Sequence, residues 1–127
     1  MQVDDTRPIW VQLVDAFRHR IVSGQWAPGS KIPSVRELAS GAGVNPNTVQ
    51  RALAELDRTG LTSAERTAGR FVTADAAVLD AVRRELATGA TDAYVVALTG
   101  LGMSLDGATR LLAERWTDQP ATGEPQS

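Results

Sequence analysis

The sequence contains no cysteine and a single histidine, and its formal charge of −2 shows no excess of positive charge. Without cysteine there are no disulfides, no thiolate metal sites and no cysteine nucleophile. One histidine leaves no cluster for zinc. His19 lies between Arg18 and Arg20 on the polar side of an amphipathic segment and reads as a solvated residue. No apolar run approaches the roughly 20 residues needed to span a bilayer. The start, Met1-Gln2-Val3-Asp4-Asp5, has neither the basic region nor the hydrophobic stretch of a signal peptide. Asp4-Asp5 has no histidine or metal cluster beside it. No nucleophile–base pair and no phosphate-cradling glycine loop is present, so no enzymatic site or cofactor is expected. What remains is a cytoplasmic chain without membrane association. Its 127 residues, 43 % hydrophobic and 22 % charged, suit one folded domain or a small domain with an appendage.

The small net charge hides an asymmetry. Residues 7–72 hold nine Arg and Lys against five acids, a surplus of four positive charges. Residues 73–127 hold four Arg against eight acids, a deficit of four, and Asp4 and Asp5 supply the rest. A basic front and an acidic rear are what a chain with a polyanion on one side would show.

Periodicity divides the chain further. Ile9, Leu13, Phe17 and Ile21 recur at steps of four, with Trp10, Val14 and Val22 widening the stripe, which predicts a helix over 8–23. Thr6 is a candidate N-cap, with Pro8 in the first turn and Gly24 past the end. Residues 25–33 read as a turn-rich connector. Ser34 and Glu37 have the spacing of a capping box and open a helix to about Ser40, stopped by Gly41 and Gly43. Asn45 and Pro46 open the next helix, which buries Val49, Ala52, Leu53 and Leu56 and ends at Gly60. Residues 61–64 and 70–73 suit two short strands joined through Gly69. A long helix follows over about 74–100, with Gly89 a candidate bend, and a last one opens at Ser104. The tail over 118–127 is polar and proline-containing, as segments without fixed structure are.

Two short helices separated by Gly41-Ala42-Gly43-Val44 have the spacing of a helix-turn-helix. Ala39 is small where the helices cross, Gly43 suits a left-handed turn, and Val49 plugs the angle between them. With the buried positions removed, Asn45, Asn47, Thr48, Gln50 and Arg51 remain at the start of the second helix. Such side chains read base edges or grip phosphate in a major groove. An αα-corner with an ordinary polar face would show the same spacing.

The ordered set Pro8-Ile9-Trp10, Gln12-Leu13, Ile21, Gly24, Pro28-Gly29, Ile32-Pro33-Ser34, Arg36-Glu37-Leu38-Ala39, Val44-Asn45, Asn47-Thr48-Val49, Arg51-Ala52-Leu53, Glu55-Leu56, Gly60-Leu61 and Gly69-x-Phe71-Val72 resembles the GntR family of bacterial transcription regulators. The resemblance implies a mainly α fold with a small β-hairpin wing: a winged helix-turn-helix DNA-binding domain over 7–75. It implies that Arg36 and the outward residues of the second motif helix bind operator DNA, together with Ser34. It places Arg66, Thr67 and Gly69 in the wing, with the wing glycine approaching the minor groove. Trp10 and Trp26 stand where the family usually has Tyr and Leu, and Thr67 stands where it commonly has Gly. The short rear is similar to the YtrA-like subfamily, which implies a two-helix dimerisation region over 76–117. Leu79, Val82, Leu86, Ala93, Ala97, Leu101, Leu111, Leu112 and Trp116 are its candidate interface residues, because two amphipathic helices alone expose more apolar surface than they bury. The expected function is a homodimeric repressor on double-stranded DNA with a pseudo-palindromic operator. A small-molecule effector, if one exists, is unidentified. A winged-helix protein–protein interaction module is the alternative.

Overall fold

In the computed structural model, which describes residues 4–119, five helices and one hairpin follow each other along the chain. They are α1 (Ile9–Val22), α2 (Val35–Ala42), α3 (Pro46–Arg58), β1 (Thr62–Glu65), β2 (Gly69–Val72), α4 (Ala76–Gly100) and α5 (Leu105–Asp118). The expected tail beyond Gln119 lies outside the described residues, while Asp118 closes α5.

α1 buries Leu13, Phe17 and Ile21 as its period requires, but Ile9 is exposed and Gln12 is buried instead. Thr6 does not cap α1. Its N–H and hydroxyl turn back to the Asp4 carboxylate, and the helix starts after Pro8 without a side-chain cap. Those contacts with Thr6 hold the Asp4 carboxyl below its usual range. Gln12 can be buried because its amide is fully used: it donates to the carbonyls of Asp4 and Arg7 and accepts from the Asp4 N–H.

The capping box at α2 is complete, with Ser34 Oγ accepting from Glu37 N at 3.1 Å and Glu37 Oε1 accepting from Ser34 N at 3.0 Å. α2 runs one turn-half further than its sequence suggests. Gly41 sits inside it, and Gly43 alone ends it at φ +67°, with the Val44 N–H bonded back to the Ala39 carbonyl. A residue with a Cβ would be strained there. α3 packs on α1 and α2 and buries Val49, Ala52, Leu53 and Leu56 completely.

β1 and β2 pair antiparallel, with Thr62 opposite Val72 and Glu65 opposite Gly69, one residue displaced toward the turn from the sequence expectation for β1. The connector is not a plain turn. Ser30 and Ile32 bond to β2 through Val72 N to Ser30 O and Ile32 N to Arg70 O, both 2.9 Å, so residues 29–32 line the second edge of the hairpin. Within the same connector Trp26 is buried against Phe17, ring centroids 5.3 Å apart, with the Arg20 guanidinium over both rings.

One ion pair fixes the hairpin to α3. Arg70 Nε and Nη2 each donate to the Asp57 carboxylate at 3.0 Å, and the Thr62 hydroxyl donates to it at 2.6 Å. Arg70 is only 17 % exposed, so this pair is little screened.

The chain divides after Arg83, inside α4, into two compact units. This lies beyond the boundary at 75/76 that the sequence suggests, and the reason is visible in the packing. Leu79 is 6 % exposed and belongs to the core of the first unit, with Val82 packed against it. Arg83 Nη2 donates to the Val22 carbonyl at the end of α1. Leu79 is therefore covered by its own chain rather than free for a partner. α4 starts at Ala76, where the Asp75 carboxylate accepts from Ala77 N, and continues as helix through Gly89. In the second unit Ser104 caps α5 by accepting from Gly107 N, and the Tyr94 hydroxyl donates to the Ala108 carbonyl at 2.9 Å.

Asp57→Ala is expected to lower stability by about 1–3 kcal/mol, because it strands a largely covered guanidinium and a hydroxyl. Urea unfolding followed by circular dichroism would show a lower midpoint. An unchanged midpoint would mean that the hairpin is held by backbone pairing alone.

Candidate nucleic-acid interface

The outward side of α3 is what burial leaves over. Asn47, Gln50 and Arg51 are exposed, Thr48 is half-buried, and Asn45 stands at the N-cap. Asn45 Oδ1 accepts from Asn47 N at 2.7 Å, so its oxygen is already engaged in capping and only its amino group faces outward use. Arg51 is less free than its sequence position implies. Its guanidinium lies over the Trp10 ring of α1, 4.2 Å from the centroid, a cation–π contact. This is the structural role of the half-buried Trp10.

Acids near this face are tied down. Glu55 makes a two-pronged ion pair with Arg58 at the next turn, which holds its carboxyl below the usual range. Glu37 is held low by the Ser34 N–H that it accepts from. Arg36, in the first turn of α2, is exposed and has no hydrogen bond or ion pair among the described residues. A cleft of about 790 Å³ between the start of α2 and the hairpin is lined by Lys31, Ser34, Glu37, Arg66, Gly69 and Arg70, among others. It brings Ser34, Arg66 and Gly69 together, three residues singled out by sequence, while Thr67 is exposed in the turn beside them. The α3 residues and Arg36 do not line that cleft.

Sequence reasoning missed Lys31 and the Trp10–Arg51 stack. Lys31 lay in a segment read as a connector, and only the bridge from Lys31 to Phe71 places it beside the hairpin. His19 is exposed, and among the described residues no group of His, Asp or Glu could hold a metal ion.

In the second unit the candidate interface residues are largely uncovered. Ala93, Ala97, Leu101, Leu111, Leu112 and Trp116 are exposed, Trp116 at 76 %, and Leu86 is half-buried. Val96, at 71 %, and Leu105, at 81 %, are exposed apolar residues that the sequence reading did not select. An open, mainly apolar groove of about 520 Å³ runs between α4 and α5, with Tyr94, Leu98, Met103, Ala108 and Leu112 in its walls.

Comparison with known proteins places this architecture. The family model described as bacterial regulatory proteins, gntR family, matches residues 11–72. The chain is 34 % identical over 103 residues to the HTH-type transcriptional regulator YhcF of Bacillus subtilis, covering 81 % of this chain and 85 % of that protein. It is 37 % identical over 78 residues to the HTH-type transcriptional repressor YtrA of the same species, 60 % of each chain. Among solved structures, a GntR family transcriptional regulator from Listeria monocytogenes superposes with a TM-score of 0.76 at 32 % identity, over 88 % of this chain and 98 % of that one. AraR(DBD) in complex with operator ORR3 matches with a TM-score of 0.52 at 27 % identity, over 57 % of this chain and 88 % of that one. An α2–turn–α3 corner with a hairpin wing, the likeness to a domain seen on operator DNA and the extended match to YhcF lead to one conclusion: the chain belongs to the GntR family of bacterial regulatory proteins, transcription regulators that carry a winged-helix DNA-binding domain.

Proposed function

We propose that the protein is a cytoplasmic homodimeric repressor that sets α3 of each protomer into a major groove of a pseudo-palindromic operator. The observation that carries this reading is the exposed, acid-free start of α3, with Asn47, Gln50 and Arg51 outward and Val49, Ala52, Leu53 and Leu56 turned into the core. Asn47 and Gln50 suit adenine edges, and Arg51 suits guanine or phosphate. Thr48, the Asn45 amino group and Ser34 add contacts at the rim, and Arg36 grips the backbone. Arg66 and Thr67 on the hairpin turn reach the flanking groove. Repression is the role in the name of the similar repressor YtrA, and a protein that covers its operator needs no further surface to exclude polymerase.

The second unit is the proposed dimerisation region. Leu101, Leu105, Leu112, Val96 and Trp116 form more exposed apolar surface than a small soluble unit usually carries. A two-fold partner buries it on both protomers at once. Leu79 and Val82 take no part, since they serve the first unit.

The experiment is a gel shift with the DNA upstream of the protein's own operon. The parent should shift it at moderate salt, and Arg36→Ala should bind roughly ten- to a hundredfold more weakly, as losing one good contact of 1–3 kcal/mol does. Parent-like binding by Arg36→Ala would remove that residue from the interface. No shift by the parent even at low salt would favour the protein–protein module instead. Val96→Arg should sediment as a monomer with weakened operator binding, and dimers that persist would place the interface elsewhere.

A further inference from the structure

Gly89 is a glycine that neither packing nor backbone angle calls for. It lies in the middle of α4, its φ is not a positive one, and a Cβ there would meet nothing within 4 Å. Inside a helix glycine is the least favourable residue short of proline, because its backbone has the most freedom to lose. No contact offsets that cost at Gly89. The helix is loosened around it in two further ways. Residues 87–93 are all exposed, whereas Leu79 before them is buried in the core of the first unit and Tyr94 after them is half-buried, its hydroxyl on the Ala108 carbonyl. Thr88 and Thr91 each turn the hydroxyl back onto a carbonyl one turn earlier, Thr88 to Arg84 at 2.7 Å and Thr91 to Ala87 at 2.8 Å. A hydroxyl in that position competes with the helical amide for its acceptor, which weakens and bends helices. These features fall together just past the division between the two compact units, and Arg83 on the near side ties α4 to the Val22 carbonyl of the first.

We propose that α4 flexes at residues 87–91, about Gly89, and that this flexure lets a dimer meet half-sites at more than one separation. Its use on DNA rests on the dimeric DNA-binding reading above; the flexure itself belongs to the single chain. Each base pair added between two half-sites moves them about 3.4 Å apart and turns one by roughly a tenth of a helical turn relative to the other. A stiff α4 would hold the two α3 helices to one such spacing. A helix that opens at low cost in one exposed turn admits the neighbouring spacings, while Arg83 keeps the start of α4 on the first unit and Tyr94 keeps its later turns on α5.

The test has one arm without DNA and one with it. Amide hydrogen exchange of the full chain, resolved by residue with nuclear magnetic resonance, should be at least about tenfold faster over 88–93 than over 79–83 of the same helix. Gly89→Ala, which has space for its methyl group, should slow exchange over 88–93 by about fivefold and leave 79–83 unchanged. Ala87→Gly should change it in the opposite sense by a similar factor. Equal protection along α4, or exchange in Gly89→Ala that matches the parent, overturns the flexure. The second arm measures fluorescence anisotropy on the duplex that the parent protects upstream of its own operon, with and without one base pair inserted at its centre. The insertion should weaken Gly89→Ala about fivefold more than it weakens the parent, because the stiffened turn now resists the adjustment. Equal weakening of both proteins overturns the role in spacing even where exchange has slowed. A parent that binds no duplex at low salt overturns the DNA-binding reading and with it the spacing role, and the exchange arm still decides whether α4 flexes.

Discussion

The packing of α3 on the core governs the rest of the first unit. Val49, Ala52, Leu53 and Leu56 are fully buried, and together they fix both the depth and the rotation of the helix. Burial of a leucine or valine is worth about 1.5–3 kcal/mol each. Rolling α3 by even one position would expose several of them, so the outward set Asn47, Gln50 and Arg51 is set by what the inward set requires. The neighbouring elements are arranged to hold that rotation. Gly43 sets the angle from α2, Trp10 of α1 lies beneath Arg51, and Asp57 near the end of α3 receives Arg70 from the hairpin. The helix that would enter DNA is thereby held from its N-terminal turns to its C-terminal end.

Electrostatics follow the same arrangement. A total charge of −2 looks unsuited to a polyanion. The local picture differs, because the acids of the front unit are largely spent within the protein. Glu37 caps α2, Glu55 pairs with Arg58, Asp57 pairs with Arg70, and Asp15 pairs with Arg7. Among the described residues, Arg36 and Lys31 have no such partner. A phosphate approaching this side meets uncommitted cations and carboxylates already engaged within the protein.

Features that depend on neighbours in the chain were legible from the sequence. The capping box of Ser34 and Glu37, the left-handed Gly43, the Asn45 cap and the buried stripe of α3 all arise within a few residues and appeared where expected. The contacts that complete the site are non-local. Arg70 of the hairpin meets Asp57 of α3, Arg51 meets Trp10 across two helices, and Lys31 meets Phe71 through a bridge inside what reads as a connector. No periodicity records such pairs. Thr6 failed as a cap because α1 begins only at Ile9, which puts Pro8 and not Thr6 at the N-cap position.

α4 shows why periodicity could not locate the boundary between units. Leu79, Val82, Leu86, Ala93, Ala97 and Leu101 follow one helical stripe, and a stripe says only that a side is apolar, not what covers it. The structure assigns the first two to the core of the winged unit, while Leu101 is exposed. One uninterrupted helix therefore carries both covered and exposed apolar residues of the same stripe. The distinction has a physical origin in residue size. Leu79 and Val82 have α1 and its neighbours to pack against, whereas Ala93 and Ala97 are too small to fill space against α5, and Tyr94 and Leu98 do that on the adjacent row. Small side chains on the outer row allow close approach of another helix, and the large exposed residues beside them, Val96, Leu101 and Leu105, supply apolar area for it to bury. The same apolar stripe is covered at Leu79 and Val82 and uncovered at Ala93, Ala97 and Leu101, so its period alone could not mark where the first unit ends.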